Sequence, residues 1–179
     1  MKHFEYYPKI EYAGHNAVNL LVRGKIRDAI LSESALYYTY YVADGETAEI
    51  LSDRYYGNSK YVWAIFYANN IFNPTLEWPM SDSVFNKHLE KKYGSIENSH
   101  KIILHHEYVD PETKIKYIID ENTYTKLSQV AQSETSESQV KEISAYTYEF
   151  ELNNKKRSIV ILDKKNIISI TNELKNLFK

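Results

Sequence analysis

The chain contains no cysteine. That removes disulfides, thiolate zinc sites and thiol nucleophiles together. No stretch approaches the roughly 18 apolar residues of a membrane span. The opening Met1-Lys2-His3-Phe4-Glu5-Tyr6-Tyr7-Pro8 lacks the apolar core of a signal peptide. The expectation is a protein made and kept in a cytoplasm, or built into a particle assembled there. Net charge is also scarce: 22 Lys and Arg stand against 24 Asp and Glu, which leaves -2 at pH 7. The two signs are mixed along the chain, and a dedicated binder of nucleic acid or membrane surface is usually more basic. Neither partner is expected. The phosphate-loop pattern G-x-x-x-x-G-K-[ST], the dinucleotide pattern G-x-G-x-x-G and the hydrolase pattern G-x-S-x-G are all missing, so those activities lack support. No internal repeat is visible.

What is present begins with aromatic residues. The 179 residues suffice for one ordinary domain or two small ones, and 43% hydrophobic against 26% charged permits a packed core. There are 17 Tyr and 2 Trp. Such side chains suit interfaces, because one end packs and the other hydrogen-bonds. An AT-rich genome favouring Tyr, Asn, Ile and Lys codons explains the same count, and the two readings are compatible.

Read along the chain, residues 1–35 show no clean period. They suggest an extended N-terminal arm with a short helical piece, or else an ordinary strand packed on the core. Leu36 to Val42 is aromatic and β-branched and suggests a strand. Asp44-Gly45 is a turn, Thr47 a helix cap, and Ile50, Leu51 and Tyr55 line one face of a helix ending at Gly57-Asn58. A second helix is predicted near 60–69, with Val62, Ile65, Phe66 and Asn69 on one stripe. A third, at about 82–93, carries Phe85, Leu89 and Tyr93 and stops at Gly94. Strands are predicted over 101–109 and 114–119, joined by the turn Asp110-Pro111-Glu112-Thr113. Gln132 to Ser138 suggests a linker. The alternation of Tyr146, Tyr148, Phe150 and Leu152 with polar residues suggests a half-buried strand, Asn153-Asn154 a turn, and Ser158 to Leu162 a buried strand. Asp163 then caps a last helix with Ile167, Ile170, Thr171, Leu174 and Phe178 on one face. The fold class expected is α+β. Its segments are an arm at 1–35, a strand-helix-helix module with its following helix at 36–94, and a C-terminal α+β region at 95–179.

The run Tyr40-Tyr41-Val42-Ala43-Asp44-Gly45-Glu46-Thr47 resembles the opening of a LysM module. Ile50 to Gly57 resembles its first helix and glycine stop, and Val62 to Asn69 its second helix with a terminal Asn. Gly45 permits the tight turn, Thr47 satisfies free helix N–H groups, and the Asn tolerates a left-handed conformation. After Asn69 the chain departs from a glycan-binding LysM, which continues to a short second strand through a Pro-Gly step. The version here, with Tyr56-Gly57-Asn58, Val62-Trp63, Asn69-Asn70-Ile71, Pro74, Glu77-Trp78-Pro79 and Lys92-Tyr93-Gly94 in order, resembles the LysM-like baseplate wedge subunit of contractile-tailed phages. The opening Phe4, Pro8, Ile10-Glu11-Tyr12 and the closing 157–178 are also similar to that family, whereas 100–145 matches weakly.

The resemblance implies a structural, non-enzymatic virion protein of the tail baseplate. Such a subunit clamps neighbouring wedges around the central hub through contacts with the wedge's core helical bundle and inner ring. It implies no cofactor and no catalytic residues. Candidate interface residues are Phe4, Tyr6, Tyr7 and Tyr12 in the arm, Trp78 beside its prolines, the basic Lys155, Lys156 and Arg157, and the terminal Leu177 and Phe178. For several of these a plainer role stands beside the interface: a core plug for Trp78, a solvated hairpin tip for the basic cluster, closure of the protein's own core for the last helix. His105-His106-Glu107 is the sequence closest to a metal site, but adjacent strand residues face opposite sides, so none is expected. Two other functions compete: a glycan-binding LysM recognising peptidoglycan, and a tail-associated wall hydrolase using paired carboxylates.

Overall fold

The computed structural model describes residues 7–19, 22, 37–133 and 139–177, and the chain is mixed α+β. It divides into two compact units. Unit 1 comprises 1–81 and 156–179, and unit 2 comprises 82–155. This division differs from the three segments read off the sequence, because a C-terminal strand pairs with a strand near residue 40 and so joins the first unit.

In unit 1, β1 (Lys9–Tyr12) and β2 (His15–Val18) form an antiparallel hairpin. Its two turn residues, Ala13 and Gly14, both have positive φ, 51° and 76°, the mirror-image turn whose twist suits a two-residue hairpin loop. Over these residues the extended arm is therefore a paired ribbon. The expected short helical piece falls mostly outside the described residues. β3 (Tyr37–Tyr41) pairs antiparallel with β7 (Ser158–Leu162), Tyr40 opposite Ile159 and Tyr38 opposite Ile161.

Between those strands lie α1 (Ala48–Tyr56), a single 3-10 turn (Ser59–Tyr61), α2 (Val62–Ala68) and the one-turn α3 (Pro74–Glu77). Thr47 caps α1 by accepting from the Ile50 N–H at 3.3 Å, and Gly57 ends it at φ 75°, as the local signals require. Two apolar clusters fill the unit. One gathers Val42, Leu51, Ile65, Ile159 and Ile161, and the other Trp63, Ala64, Ala68, Leu162 and Ile167. The last helix, α8 (Ile167–Leu177), thus closes the unit's own core through Ile167 and Ile170.

Unit 2 contains α4 (Asp82–Tyr93), α5 (Ile96–Lys101), β4 (Ile103–Val109), β5 (Lys116–Ile119), α6 (Glu121–Ser133), β6 (Val140–Ser144) and α7 (Ala145–Arg157), whose final two residues belong to unit 1. The strands make an antiparallel sheet in the order β5-β4-β6. α6 occupies a stretch for which the sequence suggested no element. It starts where Asp120 accepts from the Asn122 and Thr123 N–H groups at 3.0 and 3.1 Å. Gln132 and Ser133, expected in a linker, belong to this helix, and residues 134–138 lie outside the described ones.

The largest correction concerns 146–154. The expected strand and turn are the helix α7. Its buried residues are Ala145, Glu149, Asn153 and Arg157, spaced by four as one helical stripe. Three of those four are polar or charged, whereas Tyr148, Phe150 and Leu152 are partly exposed. The apolar alternation therefore marked the helix's outer flank rather than its buried face.

Candidate interaction surfaces

The strand-to-helix turn of unit 1 is organised by one carboxylate. Glu46 is buried and accepts from the Tyr40 hydroxyl at 2.9 Å, the Ala43 N–H at 3.2 Å and Arg54 Nη1 at 2.7 Å. Its partners are what make a buried carboxylate tolerable. Burial first, and then the bond to Glu46, holds the Tyr40 phenol above its ordinary pKa. Gly45, at φ 69°, makes the turn that aims Glu46 inward. The half-buried Trp78 packs beside this turn: its indole N–H donates to the Glu46 carbonyl at 2.9 Å, and its ring meets Phe66 edge-on. The core-plug reading describes Trp78 better than an exposed anchor.

At the other end of α2, Asn69 acts through its side chain. Its amide donates to the carbonyls of Ile65 and Val160, both at 2.8 Å, and its Oδ1 accepts from the Val160 N–H at 2.7 Å. One residue thus bonds the helix end to β7. The left-handed backbone expected at Asn69 belongs instead to Asn70, φ 54°, while Asn69 has φ -107°.

Arg157 is buried and bonded within unit 1, to the Val42 carbonyl at 3.3 Å and to Asp44 and the Met80 carbonyl at 3.2 Å. The Lys156 ammonium donates to the Leu76 carbonyl at 2.7 Å, and Lys155 is exposed. The basic cluster is consequently a helix end with separate duties, not a hairpin tip. In the N-terminal segment the roles split similarly. Tyr7 is buried, its hydroxyl on that of Tyr67, whereas Tyr12 is 73% exposed. Phe4, Tyr6 and Phe178, and the side chain of Leu177, lie outside the described residues.

Unit 2 has its own buried carboxylate. Glu149 accepts from Lys92 Nζ at 2.5 Å and the Tyr93 hydroxyl at 3.0 Å, with His88 Nε2 at 3.2 Å. Burial pushes its carboxyl up, but the hydrogen bonds from Lys92, Tyr93 and His88 outweigh it and hold the pKa below the ordinary value. Lys92 is raised in return, chiefly by the same bond.

His105 and His106 do face opposite sides of β4. His105 meets Tyr148 edge-on and approaches Glu107 at 3.4 Å, while His106 stacks on Tyr124 with ring centroids 4.2 Å apart. A cleft of about 390 Å³ lies against this part of the sheet, and both His105 and His106 contribute to its lining, with Ile103, Leu104, Ile119, Glu121 and Glu142.

The sequence reading missed both carboxylate hubs. Glu46 follows the turn glycine and was readable only as part of a motif. Glu149 was hidden inside the false alternation.

Compared with models of known protein families and with curated proteins, the chain finds no match. Among the described residues no helix is long and apolar enough to cross a membrane.

Proposed function

We propose that the protein is a structural subunit of a contractile phage tail, a LysM-like baseplate wedge protein that works through protein-protein contacts without catalysis. Its residence is then the virion, and its partners are other wedge subunits, neighbouring wedges and the central hub. The ordered motif from Tyr40 to Gly94 supports the family. The observation that carries the reading is how the module closes. β3 and two helices are completed by a second strand, β7, that arrives only at Ser158, after the whole of unit 2 has been inserted in the chain. A self-contained glycan module has its second strand immediately after the second helix. Here that stretch folds back instead, and Trp78 packs on the Glu46 carbonyl beside the β3-to-α1 turn. The chain serves as a frame with an inserted body, which suits a bridge between neighbours better than a sugar groove.

The test is location and partnership. Peptide mapping of purified tail particles should find the chain, and density of the assembled baseplate should contain it. Co-expression with the wedge proteins of a contractile tail should yield a complex that copurifies. Retention on insoluble peptidoglycan without any such complex would replace this reading with the glycan-binding one. Clearing of a cell-wall suspension, lost on a single carboxylate substitution, would replace it with the hydrolase.

A further inference from the structure

The two edges of the β3–β7 sheet are treated differently. In an antiparallel pair, directly opposite residues either exchange both backbone bonds or point both away from each other. Val160 lies opposite Thr39, and the Val160 N–H and C=O are both bonded to Asn69. Thr39 and Val160 therefore point away from one another. The Val42 N–H bonds to the Arg157 carbonyl at 2.8 Å, which gives the same parity. Residues 38, 40 and 42 bond inward, and Tyr37, Thr39 and Tyr41 turn their N–H and C=O groups outward. On the β7 side Asn69 covers the edge. On the β3 side, among the described residues, no hydrogen bond meets it.

Natural proteins shield such edges with Lys, Pro, a bulge or a covering segment. Tyr-Tyr-Thr-Tyr-Tyr has no charge and no proline, and its register to β7 is unbroken. Tyr38 is 53% exposed and Tyr41 62%. The Tyr38 hydroxyl is tied to Asp163 and that of Tyr40 to Glu46, so these rings are already fixed at their tips, which lowers the entropy lost on binding.

The segment is also a palindrome about Thr39. Antiparallel pairing with itself sets Thr39 opposite Thr39, Tyr38 opposite Tyr40 and Tyr37 opposite Tyr41. Threonine pairs and aromatic pairs are favourable cross-strand combinations, and no like charges oppose.

We propose that the β3 edge is a self-association surface, on which a second copy of this chain docks through its own β3. A two-fold axis at Thr39 joins the two sheets into one four-stranded antiparallel sheet in the order β7-β3-β3-β7. Such an axis makes the contact isologous and closed. The inference stands apart from the assembly reading, since it needs only the strand's edge. The patch is small beside a standard interface of about 1,600 Å², so association is expected at about 10–100 µM rather than nanomolar.

Sedimentation velocity of the full chain, from about 5 to about 300 µM so as to bracket that range, tests it. The wild type should pass from monomer to dimer. Thr39→Pro should remain monomeric with an unchanged circular dichroism spectrum, because the N–H it removes faces outward, where an edge strand tolerates proline. Thr39→Lys and Thr39→Asp should each remain monomeric, and their equimolar mixture should dimerise. A wild type that stays monomeric throughout, or Thr39 variants that associate as the wild type does, would overturn the proposal. If Thr39→Pro unfolds, the Lys and Asp pair decides: a mixed dimer supports the shared edge, and two monomers refute it.

Discussion

Unit 1 and unit 2 carry their polar groups in different places. In unit 1 the interior is apolar and aromatic, built on Leu51, Ile65, Ile161 and Leu162, with Glu46, Asn69 and Arg157 bonding its turns and ends. In unit 2 a buried carboxylate, Glu149, sits where α4 meets α7, and α7 turns a largely polar stripe inward. The contrast teaches where sequence patterns can be trusted. Periodicity reports a buried face only when that face is apolar. Where the buried face is charged and satisfied by hydrogen bonds, the apolar residues mark a different surface and the inferred period is wrong.

The contrast can be broken most forcefully at Leu162, which is fully buried. Leu162→Ala is expected to cost about 2–5 kcal/mol. Hydrogen exchange should show lost protection over 37–68 and 158–162, with β4 and β6 of unit 2 little changed. Equal loss in both units would mean that the two interiors unfold as one.

Glu149→Gln probes the polar interior. It leaves Lys92 and His88 without their anion, at an expected cost of about 1–3 kcal/mol in a denaturant titration at pH 7. The pH dependence sharpens this. A carboxyl whose folded pKa is depressed contributes stability that is present above its unfolded value, about 4.3 for Glu. That contribution is lost as the pH falls through the folded value. The wild type should therefore lose more stability than Glu149→Gln on acidification below about pH 4.3, and parallel curves for the two proteins would remove Glu149 from the account.

Asn69→Ala removes the bonds that join α2 to β7 and leaves the Val160 backbone groups unpaired, for about 1–2 kcal/mol. Asn69→Asp keeps the acceptor for the Val160 N–H but faces two carbonyls without a donor, so it should not rescue. If Asp restores full stability, the donor half of the clamp is irrelevant.

The smallest effect is expected at Thr47→Ala, which deletes the α1 cap for about 1 kcal/mol. Thr47→Ser should recover most of it, read as the midpoint of the same titration.

Local chemistry made much of unit 1 legible in the sequence. Thr47, Gly57 and the stripe through Leu51 mark α1, the stripe through Val62 and Ile65 marks α2, and the run Ser158 to Leu162 marks β7, whereas Asn73-Pro74, read as the stop of α2, instead begins α3 after α2 has ended at Ala68. These signals act within a few residues, through caps, left-handed positions and side-chain spacing, so reading them needs no knowledge of the rest of the chain. Phe85, Leu89 and Gly94 marked α4 in the same way. The hairpin at 9–18 was less legible, since its turn uses Ala13 at positive φ rather than a familiar Asn-Gly pair.

What only the tertiary structure decided is pairing over distance. Nothing local to Val160 names Thr39 or Asn69 as its neighbours, and nothing local to Glu149 names Lys92. An apolar strand can pair with any open edge, and a carboxylate can be satisfied by any donor the fold delivers. The choice among them depends on which surfaces are buried together, a property of the whole chain. The same reason explains α7: within unit 2, Glu149 becomes an inside residue only because α4 brings Lys92, Tyr93 and His88 to it.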